Sequence, residues 1–167
     1  MDDPQQPTHT DATSRVWYLR TGADTDGELH EQRVEYLPGS PFPPEHLHPD
    51  QDEHFEVEAG QMVFVIDGEE HLVGAGEVVD IPRGTAHRAR NASASRPAVV
   101  LWQTRPALRT GEFFSVAARL GPGRSVLDGA LLAHEYRDVF RLCGPAGRLV
   151  PVLAQGARLL GRSLPRG

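Results

Sequence analysis

Hydrophobic and polar residues alternate in short stretches from Arg15 to about Thr104. Successive side chains on a β-strand point to opposite faces, so this alternation predicts strands. Strands separated by turns every ~8–12 residues indicate an all-β sandwich or barrel. The stretches that are rich in β-branched or aromatic residues and bounded by Gly, Pro, Asp or Ser are RVWYLR (15–20), EQRVEYL (31–37), EHFEVEA (53–59), QMVFVI (61–66), EEHLVG (69–74), EVVDIP (77–82), AHRARN (86–91) and AVVLWQ (98–103).

The pattern changes after Arg105, where apolar residues recur at helical spacing. Ser125 is a candidate N-cap for a helix that ends at Gly144, and two further helical candidates lie at 106–120 and 151–164. These helices would cover the barrel or pair two subunits. The chain therefore divides into a disordered polar tail, a β-barrel and a helical extension, which we place at residues 1–13, 14–104 and 105–167.

Two glycine-containing dipeptides suggest how neighbouring strands pair. Asp67-Gly68 joins its flanking strands as a two-residue hairpin turn would, which places His71 opposite Phe64 and facing inside. One more loop residue would turn His71 outward.

Ala59-Gly60 is interpreted as a second two-residue turn, which would put Glu53 opposite Ile66. Directly opposite residues share a face of the sheet, so this pairing predicts an apolar pocket wall around the Glu53 carboxylate. The predicted members of the wall are Phe55, Met62, Phe64 and Ile66, with Tyr36 and Trp102 as further candidates whose facing stays open.

Composition and charge exclude several classes of function. The net charge of −6 argues against sequence-independent nucleic-acid binding, which requires a cationic face. All seventeen basic residues are arginine, so lysine Schiff-base chemistry is excluded, and the single cysteine, Cys143, rules out an intrachain disulfide. The start of the chain lacks the layout of a signal peptide, and no apolar run approaches membrane-spanning length. We therefore expect a cytoplasmic protein.

Histidines and carboxylates concentrate in the stretch EHLHPDQDEHFEVEAG, residues 45–60. Residues two apart on a strand point the same way, so His46 and His48 present both imidazoles to one face. Glu53 adds an oxygen from the next strand, and His87 follows a later β-turn. Three neutral imidazoles and a carboxylate suit one divalent ion of Fe, Mn, Ni, Cu, Co or Zn.

The glycines, proline and asparagine around these residues recur at fixed spacings and form two motifs. The first contains Gly39, His46, His48, Glu53 and Gly60, and the second contains Gly76, Pro82, Gly84, His87 and Asn91. Together they resemble the paired signatures of the cupin superfamily, with one extra residue before His46. The likeness is to small single-domain bacterial cupins of the cupin_2 type, here with a C-terminal helical extension.

The resemblance implies a double-stranded β-helix, the jelly-roll barrel of cupins, with a metal held inside by His46, His48, Glu53 and His87. Cupin barrels host many activities, so the fold does not decide the reaction. Our first hypothesis is a metal-dependent enzyme acting on a small organic molecule, such as a dioxygenase, a polyketide cyclase-like enzyme or an isomerase. In this reaction Glu53 would take a proton, which is the role that the resemblance to flavonol-cleaving cupins implies. The alternative is a non-catalytic metal- or small-molecule-binding module. In either case the resemblance to small cupins, which commonly pair, implies a homodimer.

Overall fold

The computed structural model describes residues 6–121 and 123–165 of the chain. Residues 1–5 of the predicted disordered tail lie outside the described residues. In the described part of that tail, His9–Thr10 forms a two-residue strand. The strands are β1 His9–Thr10, β2 Ser14–Arg20, β3 His30–Tyr36, β4 His46–Leu47, β5 Asp52–Ala59, β6 Gln61–Ile66, β7 Glu69–Gly74, β8 Val78–Ile81, β9 His87–Asn91, β10 Ala98–Arg105 and β11 Arg141–Leu142. The helices are α1 Thr110–Leu120, α2 Val126–Glu135 and α3 Gly144–Leu159.

The strands form two antiparallel sheets that face each other. One sheet has the order β1-β2-β3-β10-β5-β8, and the other has the order β11-β4-β9-β6-β7. Strands that are consecutive in the chain often lie in different sheets, as they do in a jelly roll. The predicted all-β fold with a C-terminal helical extension is therefore confirmed.

The Asp67-Gly68 hairpin forms as predicted. Ile66 pairs with Glu69, and both turn residues have positive φ, 48° and 86°, as a type I′ turn requires. His71 consequently lies opposite Phe64. Its side chain is nevertheless exposed, because β7 is the last strand of its sheet and nothing pairs beyond it among the described residues.

The predicted hairpin at Ala59-Gly60 is wrong. β5 pairs with β10 and β8, whereas β6 pairs with β7 and β9, so Gly60 is a corner at which the chain passes from one sheet to the other. Gly60 has φ +77°, and a Cβ there would lie 2.7 Å from the Pro97 carbonyl oxygen. A corner and a hairpin both favour glycine, so local sequence does not distinguish them.

The inner faces of the two sheets enclose an apolar core. Phe55 and Phe64 meet across the sandwich, with ring centroids 5.2 Å apart, instead of side by side in one sheet. Tyr36, Ile66 and Trp102 are partly buried and pack against the same cluster. Its buried members are Phe55, Val57, Met62, Phe64, Val73, Ile81, Ala98 and Val100.

The helical extension differs from the predicted pattern in its middle and in its last helix, which is predicted at 151–164 and observed at Gly144–Leu159. Ser125 is the N-cap of α2 and forms a capping box with Asp128, as the sequence suggests. α2 ends at Glu135, however, and the chain then turns into β11, which pairs with β4. Beyond the end of the helix, Tyr136 and Val139 are buried in one cluster with Phe113 and Val116 of α1. None of the helices in the described part of the chain is long and apolar enough to cross a membrane.

Candidate metal centre

Neighbouring strands of the second sheet bring the three histidines together. His46 on β4 and His87 on β9 are directly paired, and His48 follows two residues after His46. One ring nitrogen of each histidine lies within 4.8 Å of those of the other two. All three side chains are buried, at 9%, 5% and 3% exposure for His46, His48 and His87. This buried group is compatible with a single metal ion.

Backbone carbonyls hold the Nδ1 atoms of all three rings. His46 Nδ1 lies 2.9 Å from the oxygen of Pro44, His48 Nδ1 2.6 Å from that of Val139, and His87 Nδ1 3.0 Å from that of Thr85. A carbonyl oxygen only accepts hydrogen bonds, so each Nδ1 carries the proton and donates it. In a neutral ring this leaves Nε2 with a free lone pair. That is the tautomer with which a histidine binds a metal through Nε2.

Glu53 reaches the histidines from the opposite sheet. Its Oε2 lies 2.9 Å from His87 Nε2, and its Oε1 lies 3.3 Å from His48 Nε2. The Nε2 atom of His48 has no hydrogen-bond partner among the described residues although it is fully buried. Lone pairs and a carboxylate directed at each other in a buried space repel unless a proton or a metal cation lies between them. The three imidazoles therefore fit a single divalent cation, and Glu53 as a fourth ligand stays a prediction.

Burial and the contacts within this group shift the proton affinities of His46, Glu53 and His87. Burial, followed by repulsion from His87 and His48, lowers the pKa of His46 to about 4, so its ring is neutral near neutral pH. Burial by itself would raise the pKa of Glu53, but the neighbouring His48 and His87 outweigh it and lower that pKa. Burial likewise opposes a charge on His87, yet the hydrogen bond to Glu53 raises the pKa of His87.

The predicted pocket residues occupy two kinds of position. Phe55, Met62 and Phe64 are almost completely buried, at 3%, 1% and 0% exposure, and pack as core. Tyr36 and Trp102 lie close to Glu53: Trp102 Nε1 donates to Glu53 Oε1 at 3.0 Å, and the Glu53 charge, after burial, raises the pKa of Tyr36. Ile66 pairs with His87 on β9. That these six residues contact a substrate stays a prediction.

Two neighbours of the histidines come from the C-terminal extension and were not predicted. Val139 supplies the carbonyl for His48, and Phe140 stacks on His46 with ring centroids 4.7 Å apart and 29° between the planes. Both residues lie in the run VFRLCG, which the sequence assigns to a long helix. They are more than 90 positions from His46 and His48 along the chain, and no local pattern marks the contact.

Gln51 connects the loop between β4 and β5 to the C-terminal extension. It is completely buried, and its Nε2 lies within hydrogen-bonding distance of the carbonyl oxygens of Pro106 and Ala107 and of Thr110 Oγ1, at 2.8, 3.1 and 2.8 Å. The segment between His48 and Glu53 is therefore anchored to the start of α1.

A cavity of about 410 Å³ lies at the end of the first sheet. Glu53 belongs to its lining, whereas His46, His48 and His87 do not. Arg83, beside this end of the sheet, makes a salt bridge to Asp52. The complete lining is Asp52, Glu53, His54, Asp80, Ile81, Pro82, Gln103 and Arg105.

Residues 32–104 match the Cupin_2 family model, described as a cupin domain. The match extends from β3 to β10 and includes all three histidines and Glu53. A curated relative, Oxidoreductase iacF of Pestalotiopsis fici, is 40% identical over 74 residues, which are 43% of this chain and 33% of that protein. The chain thus spans about a third of the length of this relative.

Solved structures share the fold at low sequence identity. An RmlC-like cupin from Shewanella frigidimarina superposes with a TM-score of 0.55 at 17% identity, covering 66% of this chain and 94% of that one. A predicted oxalate decarboxylase from Thermotoga maritima also gives 0.55, at 18% identity, covering 60% of this chain and 92% of that one. At these identities the likeness concerns the fold alone.

Proposed function

Residues 32–104 of this chain form a cupin domain, and we propose that this domain holds one divalent transition metal and uses it to transform a small organic molecule. The observation that carries the proposal is the convergence of three buried imidazoles on Glu53, with every Nδ1 proton directed to a carbonyl. A metal bound there would supply positive charge to polarise substrate oxygens.

The protein's own residues determine what that charge can do. Three neutral imidazoles contribute no charge, so Glu53 is the one anion among the four proposed ligands. Trp102 holds Glu53 Oε1, while Oε2 faces His87 Nε2 and is the atom available to take a proton from a substrate. Burial of the group excludes bulk water and strengthens each electrostatic interaction.

We propose an oxidoreductase that uses dioxygen as the first candidate reaction. The support is the relative that is named an oxidoreductase, whose 74-residue match is close in length to the cupin domain at residues 32–104. A redox-neutral polyketide cyclase-like or isomerase reaction would use the same metal and the same Glu53 base and is the second candidate.

A non-catalytic binding module is favoured by one observation. The histidines are at most 9% exposed, and the predicted wall residues Phe55, Met62 and Phe64 are packed as core. Such a closed site is as compatible with retention of a bound ligand as with turnover of a substrate.

Metal analysis followed by oxygen-electrode assays would test the proposal. Protein purified without added metal should contain about one divalent ion per chain, and flavonols, catechols or polyketide-like phenols should be screened for oxygen uptake and, separately, for product formation. Oxygen uptake with turnover would establish an oxygenase, and turnover without uptake would indicate a cyclase or isomerase. Stoichiometric metal with neither would favour the binding module, and a chain that cannot be loaded with metal would refute the proposal.

Cytoplasmic location and homodimerisation stay predictions from the sequence. Light scattering on the purified protein would determine the oligomeric state.

A further inference from the structure

We propose that the C-terminal extension is a working part of the metal centre, in which Phe140 restricts access to the metal and Val139 positions the ligand His48. The inference rests on the proposed metal site and adds to it a segment outside the cupin domain, which ends at residue 104.

The three Nδ1 hydrogen bonds differ in where their acceptors come from. His46 and His87 donate to carbonyls two residues earlier in the chain, at Pro44 and Thr85, so the segments just before their own strands orient them. His48 donates instead to Val139, 91 residues later, over 2.6 Å. The orientation and tautomer of His48 therefore depend on the extension. Val139 is completely buried, so water does not replace its carbonyl without movement of the segment.

Phe140 covers the side of the centre next to Val139. Its ring stacks on His46 at 4.7 Å and meets His48 edge-on at 6.3 Å. Rings stacked at this distance leave no space for a water molecule or a ligand between them. Access to the centre from this side therefore requires Phe140 to move or to be removed.

The extension holds Phe140 in place from behind. Phe113 of α1 stacks on its other side, with centroids 5.2 Å apart and 24° between the planes. β11 pairs Leu142 with His46, so the backbone of the segment is hydrogen-bonded to the strand that carries the ligand. Phe140 is thus fixed by a helix and by a strand pairing, which a flexible covering loop would lack.

Arg109 secures the turn that precedes Phe140. Its guanidinium binds both carboxylate oxygens of Asp138, at 2.5 and 3.2 Å, and donates to the Glu135 carbonyl at 2.7 Å. It also lies over the ring of Tyr136 at 4.6 Å. These contacts join the start of α1 to the 135–138 turn. The positions of Val139 and Phe140, which follow this turn, therefore depend on the packing of the whole extension.

Azide binding to the cobalt-loaded protein would test this role without measuring activity. In Phe140→Ala we expect azide to bind at least about tenfold more tightly than in the wild type, because loss of the ring opens space for an anion beside the metal. The visible extinction coefficient of the bound cobalt should also fall, since added water raises the coordination number. Both quantities are read from visible absorption during an azide titration of protein carrying one Co²⁺ per chain.

Val116→Ala is the matched control. Val116 lies on α1 in the same apolar cluster of the extension and is 1% exposed. Its loss should destabilise the extension while leaving azide affinity within about twofold of the wild type. Phe140→Leu retains most of the apolar volume and provides a test should Phe140→Ala fail to fold; we expect it to strengthen azide binding by about threefold.

The outcomes separate this inference from the proposed function. Tighter azide binding in the Phe140 variants, and not in Val116→Ala, would support the role of Phe140. Unchanged azide affinity in Phe140 variants that carry full cobalt would overturn it while the metal site stands. A wild-type protein that binds no cobalt through the histidines would overturn the proposed function and this inference together.

Discussion

Trp102 Nε1 donates a hydrogen bond to Glu53 Oε1 over 3.0 Å, between the neighbouring strands β10 and β5. The register pairs Trp102 with Phe55, two positions from Glu53, so the indole reaches the carboxylate diagonally on the inner face. The bond occupies one carboxylate oxygen and leaves the other facing His87. Trp102 therefore orients the only carboxylate in the candidate metal centre among the described residues.

Replacement of Trp102 by Phe should weaken metal binding by about tenfold, the lower end of the usual effect of losing a partner to a metal ligand. The charged form of Glu53 loses a donor, so its pKa should rise and protons should compete better with the metal. Competition with a chelator, measured at two pH values, would test this. Trp17→Phe is the matched control because Trp17 lies on β2, away from Glu53. Equal affinities in the two variants would show that the bond does not position Glu53.

Replacement of His48 by Ala should abolish metal retention while the barrel stays folded. The variant removes one of three imidazoles from the buried group, and Glu53 then faces an incomplete set of ligands. Metal content after dialysis and far-ultraviolet circular dichroism would measure the two properties. His71→Ala, at an exposed position of the edge strand β7, should keep its metal. Full metal occupancy in His48→Ala would reject the site.

Acidification should destabilise the protein in part through His30, which is 1% exposed and outside the metal centre. Burial lowers the pKa of His30, more than its hydrogen bond with Gln32 raises it. Its neutral form is therefore favoured in the folded state. The stability contributed by the neutral ring is complete above the unfolded pKa of about 6.5 and is lost as the pH falls toward the lower folded value.

His30→Gln should accordingly reduce the dependence of the free energy of unfolding on pH below about 6.5, by at most ~1.4 kcal/mol per pH unit. Urea unfolding at several pH values would measure the slope. The ring packs edge-on against Tyr18, at 4.8 Å between centroids, and lies close to Gly111, so Gln must be compared with the wild type at each pH. An unaltered slope in His30→Gln would show that His30 does not titrate on unfolding.

Gly60→Ala should destabilise the fold by roughly 2 kcal/mol or more, because a left-handed backbone conformation costs a residue with a Cβ about 1–2 kcal/mol and a clash adds to it. A Cβ at Gly60 would lie 2.7 Å from the Pro97 oxygen and 2.9 Å from Ala98 Cα. Thermal unfolding would detect a fall in Tm of about 4–8 °C. Gly129→Ala, inside α2 with nothing within 4 Å of the added Cβ, should raise the Tm instead. A Tm for Gly60→Ala equal to that of the wild type would contradict the corner geometry.

The sequence predicts those parts of the fold that depend on neighbours in the chain. The Asp67-Gly68 turn forms because both residues accept positive φ, and Ser125 caps α2 through Asp128 three positions away. The pairing around Gly60 was wrong for a related reason: glycine permits a hairpin and a corner equally, and only the partner strands decide which forms. The prediction that Phe55 and Phe64 face the core is nevertheless correct. Alternation along each strand determines which side chains point inward, and it does so in either topology.

For the site, the i, i+2 spacing of His46 and His48 and the motif around His87 were enough to indicate three converging imidazoles. The tertiary structure alone places Val139 and Phe140 of the extension against two of those histidines. The physical reason is that ligand spacing and turn conformation are local properties of the backbone. A contact across 91 residues depends instead on how the helices pack over the barrel, and that packing leaves no signature in either segment.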